Sequence, residues 1–378
     1  MAVFAKRVSL LPPYFFKKLD NLKERYKGNL IDFGEGNPDL PPPKGIIRAL
    51  KKALNKKDIY KYPQYNGLLE LRVAISQWYK KRFGVDLDPE KEIGIVLGAK
   101  EGIAHLIWGV CDKGDSYVTH DPAFPIYHNE PILAGCKIFK LPLKEENNFL
   151  LDLDDLKKIK KIKLLAINFP NNPTTAFADL EFYEELINLA NKYGFYIMND
   201  NVYSEIYFEK APPSILQVKG AKAFACEFNS FSKTFNLAGF RLGFVCGNSQ
   251  LIEALLKVKE NVDSGPFNAL QEAAIYALKE ENKFSEKLRR VYLKRQNLLL
   301  PSLAKIGLEI KRPKATFYLW AKIPQKEKSS LKYAIKLLKK KRILAAPGIG
   351  FGKYGEGYLR FSLTVNEKLI REAIKRLA

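Results

Sequence analysis

The sequence predicts an α/β protein built on a largely parallel sheet with helices on both faces, followed by a smaller α+β domain. Two observations carry this. Short, nearly continuous apolar runs, such as Glu92–Leu97, Lys163–Asn168 and Phe195–Met198, alternate with amphipathic helical segments. From residue 310 the character changes to separated strands and helices that no longer alternate in that way. The expected domains are 1–44 as an N-terminal arm and part of the small domain, 45–270 as the large domain, and 271–378 as the small C-terminal domain.

Residues 1–30 read as an extended arm and a short helix, because Leu11-Pro12-Pro13-Tyr14 cannot lie inside a helix. Leu30 to Phe33 is a short strand that breaks into the Gly/Pro turn Gly34-Glu35-Gly36-Asn37-Pro38. A helix over 45–56 and another over 68–83 lead to the strand at 92–97, and a helix spans 102–111. Strands follow at 116–119 and 137–141, then at 163–168. A helix at 180–193 precedes the strand at 195–198. The run Ala223-Phe224-Ala225-Cys226 leads into Ser230, and 241–245 closes the series. Residues 251–309 are helix-rich, with one long amphipathic segment over 286–303. The last part gives strands at 317–321, 343–346 and 358–362, and helices at 330–340 and 367–377.

Composition narrows the classes. Hydrophobic residues make up 47% of the 378, enough for a large core. No apolar run approaches the length of a membrane span, and Met1 to Arg7 lacks the apolar region of a signal peptide. Four scattered cysteines and three histidines show no metal-ligand spacing, so a reduced, cytoplasmic protein without a metal is expected. Sixty-three basic against 41 acidic residues give a net charge of +22. The lysines are spread along the chain among Glu and Asp, which favours a solvated surface over a nucleic-acid site.

In an open parallel sheet, ligands sit beyond the carboxyl ends of the strands. Beyond 92–97 lies Gly98-Ala99-Lys100-Glu101-Gly102, a turn whose backbone N–H groups suit a phosphate. Beyond 116–119 is Phe124, whose ring fits either stacking on a flat ligand or ordinary core. Beyond 163–168 is Asn171-Asn172 between prolines, serving a turn or donating to a ligand oxygen. Beyond 195–198 is Asp200, a carboxylate in need of a partner, with Tyr203 close by. Ser230, Ser232, Lys233 and Arg241 complete the set: hydroxyls and a guanidinium for a phosphate, and a lysine able to form a Schiff base with an aldehyde. Together these are the parts of a pyridoxal phosphate site: phosphate cup, stacking ring, phenolate donor, pyridinium partner and lysine.

These segments resemble the class I/II aminotransferases of pyridoxal phosphate fold type I. Pro170-Asn171-Asn172-Pro173-Thr174, Asp200-Asn201-Val202-Tyr203, Ser230-Phe231-Ser232-Lys233 with Arg241, and Tyr358-Leu359-Arg360-Phe361-Ser362 carry the likeness in order along the chain. Lys61-Tyr62-Pro63 adds to it. The resemblance implies a mostly parallel, mixed sheet and a homodimer with shared sites, acting on an amino acid and a 2-oxo acid. It implies that Lys233 bonds the cofactor and shuttles the proton. Asp200 would pair with the ring nitrogen, Asn172 and Tyr203 with the phenolate, and Phe124 would stack on the ring. Ala99, Lys100, Ser230, Ser232 and Arg241 would hold the phosphate, with Tyr62 reaching it from the other subunit. Arg360, Gly36 and Asn172 would bind the substrate carboxylate.

Three positions depart from the family pattern: Thr175 for the usual Gly, Asn201 for the common Glu, and Phe124 for Tyr or Trp. Leu11 to Phe16, Gly98 to His105 and Asp263-Ser264-Gly265 resemble a subgroup containing LL-diaminopimelate aminotransferases. A lysine-pathway substrate with glutamate/2-oxoglutarate is therefore expected first. Aspartate, alanine or succinyl-diaminopimelate come next, and a β-lyase after them. A DNA-binding regulator would need an attached module, for which residues before Asp32 leave no room.

Overall fold

The structure is a computed structural model that describes residues 3–12, 23–26, 28–281 and 283–378. Strand β1 (Ile31–Asp32) is the first among the described residues. Seven strands then form the central sheet: β2 (Ile93–Val96), β3 (Ser116–Asp121), β4 (Lys137–Pro142), β5 (Ile162–Ile167), β6 (Tyr196–Asp200), β7 (Ala225–Ser230) and β8 (Gly243–Gly247). Their order is β2-β8-β7-β6-β5-β3-β4. All pairings are parallel except those of β8, which runs antiparallel to both β2 and β7.

The inner strands of this sheet are buried on both faces, which is why they read as largely apolar runs, whereas the edge strand β4 is mostly half-buried or exposed. Ile95, Leu165, Ile167, Ile197 and Phe244 belong to one core cluster; Val96, Leu164, Ala166, Met198 and Val245 belong to another. Neighbouring residues in a strand thus serve opposite cores. The helices Ala99–Val110 and Ser249–Val262 pack on each other over the second face.

The C-terminal part forms a three-stranded antiparallel sheet from β9 (Tyr318–Lys322), β11 (Ala346–Pro347) and β12 (Tyr358–Ser362), in the order β11-β12-β9. The short β10 (Ile343–Leu344) pairs in parallel with β1. This pairing brings Gly34 to Gly36 toward the carboxyl ends of the central strands.

Several expected elements shift. The helix expected from 102 begins at Ala99, directly on the Gly98 turn. The strand expected at 241–245 is Gly243–Gly247, because Arg241 adopts φ +49° and cannot extend a strand. The strand expected at 343–346 is two, β10 beside β1 and β11 in the three-stranded sheet. A helix over Ile126–Ala134 was not expected, since Pro131 inside it reads as a breaker. Among the described residues no helix is long and apolar enough to cross a membrane.

Candidate active site

The ends of β5, β6 and β7, the start of the 99–110 helix and residues from β12 enclose a cavity of about 440 Å³. Gly36, Ala99, Lys100, Phe124, Asn172, Asp200, Tyr203, Ser230, Ser232, Lys233, Arg241 and Arg360 all line it. Tyr62 does not; it is 93% exposed on the outer surface. Asp200 and Ser230 end β6 and β7, Ala99 opens its helix, and Asn172, Tyr203 and Lys233 follow a strand end within a few residues, where a side chain leaves the sheet without breaking its ladder; Arg360 stands inside β12.

At one end, the first turn of the 99–110 helix presents backbone N–H groups that have no partner within the helix. Gly98 stands at φ +81°, and a Cβ there would lie 2.5 Å from Arg241 Nη2, so glycine lets the guanidinium close against the turn. Arg241 Nη1 donates to the Ala238 carbonyl at 2.9 Å. Ser230 Oγ accepts from Ser232 N–H at 3.2 Å and caps the short helix that carries Lys233.

At the centre, Asp200 is the last residue of β6 and is 7% exposed. Tyr127 O–H and Val202 N–H donate to its carboxylate. Burial nevertheless pushes the carboxyl from 3.8 up to about 6. Lys233 Nζ donates to the Gly36 carbonyl at 3.2 Å. Burial first, then the charges of Arg360 and Arg241, lower its pKa to about 8. The Tyr203 and Tyr318 hydroxyls share a hydrogen bond of 3.1 Å, and burial raises the Tyr203 pKa, so the phenol stays protonated.

At the far end, Arg360 projects from β12 and is 4% exposed. Nη1 donates to Asn172 Oδ1 at 2.7 Å and Nη2 to the Gly34 carbonyl at 2.6 Å. The guanidinium lies 4.2 Å from the Tyr318 ring centroid and 4.7 Å from that of Phe351. Nε is buried without a partner. Because Asn172 Oδ1 already accepts from Arg360, its amide N–H₂ is left to donate.

Donors for a dianion, a buried carboxylate, a deprotonable lysine and a guanidinium thus line one cavity in sequence. This donor set fits pyridoxal phosphate with an amino-acid carboxylate beyond it.

Two family departures find local reasons. Thr175 takes φ +63°, the left-handed conformation a glycine would adopt freely, and the turn closes through Thr175 N–H to Asn171 O at 3.0 Å. Asn201 donates to the buried Glu227 at 2.9 Å, so a glutamate at 201 would set two carboxylates together. Phe124, the third departure, is half-buried on the cavity wall.

Tyr127 and Tyr318 were not singled out from the sequence. Tyr127 follows Phe124 by three residues across the turn that opens the helix, and both line the cavity. Tyr318 begins an apolar strand and carries no sequence signal. Of the expected specificity segment, Pro13 to Phe16 lie outside the described residues.

The family of class I and II aminotransferases matches residues 28–377, and the chain belongs to it. It is therefore a pyridoxal-phosphate-dependent aminotransferase of fold type I. It is 48% identical to an LL-diaminopimelate aminotransferase of Aquifex aeolicus over 100% of this chain and 99% of that one. Substrate-bound BacF from Bacillus subtilis superposes with a TM-score of 0.95 at 33% identity, covering 100% and 97% of the two chains. A probable N-succinyldiaminopimelate aminotransferase of Thermus thermophilus gives 0.89 at 34%, covering 96% and 98%.

Proposed function

We propose that this enzyme moves an amino group between LL-diaminopimelate, or a close lysine-pathway relative, and 2-oxoglutarate. The observation that carries the chemistry is the convergence of Lys233, Asp200 and Arg360 on one cavity. Full-length identity to the Aquifex aeolicus enzyme supports the substrate. A succinylated substrate is the second reading, favoured by the likeness to the Thermus thermophilus structure.

Bound pyridoxal phosphate supplies an aldehyde and an electron-accepting ring. Ala99 and Lys100 backbone N–H groups, Ser230, Ser232 and Arg241 hold its phosphate, and Tyr62 of the other subunit joins them. The exposure of Tyr62 supports a shared-site homodimer. Phe124 packs on the ring. Asp200 keeps the ring nitrogen protonated, and Tyr127 orients Asp200. Asn172 and Tyr203 donate to the phenolate oxygen. Arg360, with Gly36 and Asn172 beside it, binds the α-carboxylate and so aims the Cα–H at the lysine. Lys233 Nζ takes that proton and returns it on the other side of the transfer; a pKa near 8 suits both roles at neutral pH. The division into domains at 1–44, 45–270 and 271–378 and a cytoplasmic location complete the reading.

Lys233→Ala should lose the visible absorbance band of the lysine-bound cofactor and the half-reaction with any amino acid. Persistence of both would overturn the assignment of Lys233. Mixing Tyr62→Phe with Lys233→Ala chains should restore a hybrid site with native residues; no recovery argues against shared sites.

A further inference from the structure

Beyond the phosphate turn at 98–100, the rest of the Gly98 to His105 motif and Asp263-Ser264-Gly265 have no part in the reaction as described, and they meet in space around one lysine. Lys259 is 0% exposed although it lies on a surface-packed helix. Its Nζ donates to Glu101 Oε1 at 2.8 Å and to Asp263 Oδ1 at 2.6 Å. His105 stands between the same two acids: Nδ1 is 3.0 Å from Glu101 Oε1, without the alignment of a hydrogen bond, and Nε2 is 3.7 Å from Asp263 Oδ2. The three acid and imidazole groups have the spacing of a metal site. Its cation is the protein's own ammonium.

Each acid has a second task. Glu101 Oε2 accepts from Leu97 N–H at 3.0 Å, which fixes the backbone immediately before Gly98 and Ala99. Asp263, held by Lys259, stands two residues before Gly265, which packs against the 60–65 region. A Cβ on Gly265 would lie 2.0 Å from the Gln64 carbonyl oxygen and 3.2 Å from Pro63 Cβ, so the two backbones touch. Tyr62 is the next residue but one to Gln64. A single buried cation therefore ties the turn at 97–100 to the strip that bears Tyr62. Without it, two half-buried carboxylates would face each other with no ammonium between them, and would separate or take up a proton.

We infer that Lys259 is a positioning residue that locks the phosphate turn to the Tyr62 segment and thereby sets cofactor affinity. The inference rests on the reading of Ala99, Lys100, Arg241 and Tyr62 as the phosphate seat.

The test titrates cofactor-free protein with pyridoxal phosphate and follows tryptophan fluorescence. Lys259→Ala should raise the dissociation constant about tenfold or more, the range expected for lost charge-assisted hydrogen bonds. n-Propylammonium should restore binding, whereas 1-propanol, of similar size but uncharged, should not. Asp263→Asn, a milder change, should weaken binding in the same direction. It should also shrink the effect of Tyr62→Phe, because the strip is already released. Wild-type affinity in both folded variants, or rescue by 1-propanol as good as by the amine, overturns the inference. Arg241→Ala run alongside separates the levels. If it weakens binding while Lys259→Ala does not, the inference alone fails; if neither does, the phosphate seat fails with it.

Discussion

Asp200→Asn is the substitution for which the structure yields a magnitude. The carboxyl sits at about 6 in the folded protein against an ordinary 3.8, chiefly through burial. A carboxyl raised by folding contributes stability that is fully present below its unfolded value and is lost as pH climbs through its folded value. The difference is about two pH units, and at about 1.4 kcal/mol per unit it amounts to about 3 kcal/mol. The cofactor-free enzyme therefore carries that penalty above about pH 6, whereas asparagine, neutral throughout, does not. Urea unfolding of the two cofactor-free proteins measures it directly. Asp200→Asn should be the more stable by about 3 kcal/mol near pH 7, with the gap closing toward pH 4. Its transamination rate should nevertheless fall sharply, since the neutral amide cannot hold a proton on the ring nitrogen. A gap that does not change with pH, or a parent that is the more stable at pH 7, would refute the reasoning. The stored instability would mark a site built for its ligand and not for the empty fold.

Three further outcomes are expected. Arg360→Lys gives up the fork that reaches Asn172 and Gly34 together; the KM for amino acids should rise about 10- to 100-fold, with cofactor affinity unchanged in the same titration. Thr175→Gly relieves the left-handed conformation at φ +63° and should stabilise the protein by about 0.5–1 kcal/mol in urea unfolding, after allowing for the greater freedom of glycine when unfolded. Asn201→Glu places a second carboxylate against Glu227 and should cost about 3 kcal/mol or more; adding Glu227→Gln should recover most of it, because the new amide donates where the old acid accepted.

Much of the site was legible because polar residues at the end of an apolar run, or a few positions beyond it, have few structural reasons to be there. Asp200, Asn172, Ser230 and Lys233 are of that kind. What the residues could not reveal depends on three-dimensional pairing. Lys259 is one basic residue among 63, and only the fold shows that it is buried between Asp263, one turn on, and the remote Glu101. Glu227 falls on the opposite face of β7 from the cavity, where Tyr79, Asn199 and Asn201 donate to it. Alternation suggests which face it takes but not which groups await it there. Helix 126–134 was hidden by Pro131, and the break between β10 and β11 by an unbroken apolar run. The fold class survived these misreadings because it rests on the alternation of strands and helices, which no single boundary controls.

The central claim is that the site accepts LL-diaminopimelate. Single-turnover measurements on the holoenzyme, following loss of the visible cofactor band with LL-diaminopimelate, N-succinyl-LL-diaminopimelate, aspartate and alanine, test it most directly. The expected result is a kcat/KM for LL-diaminopimelate about 100-fold or more above each of the others. Equal or faster reaction with aspartate or with the succinylated compound would contradict it.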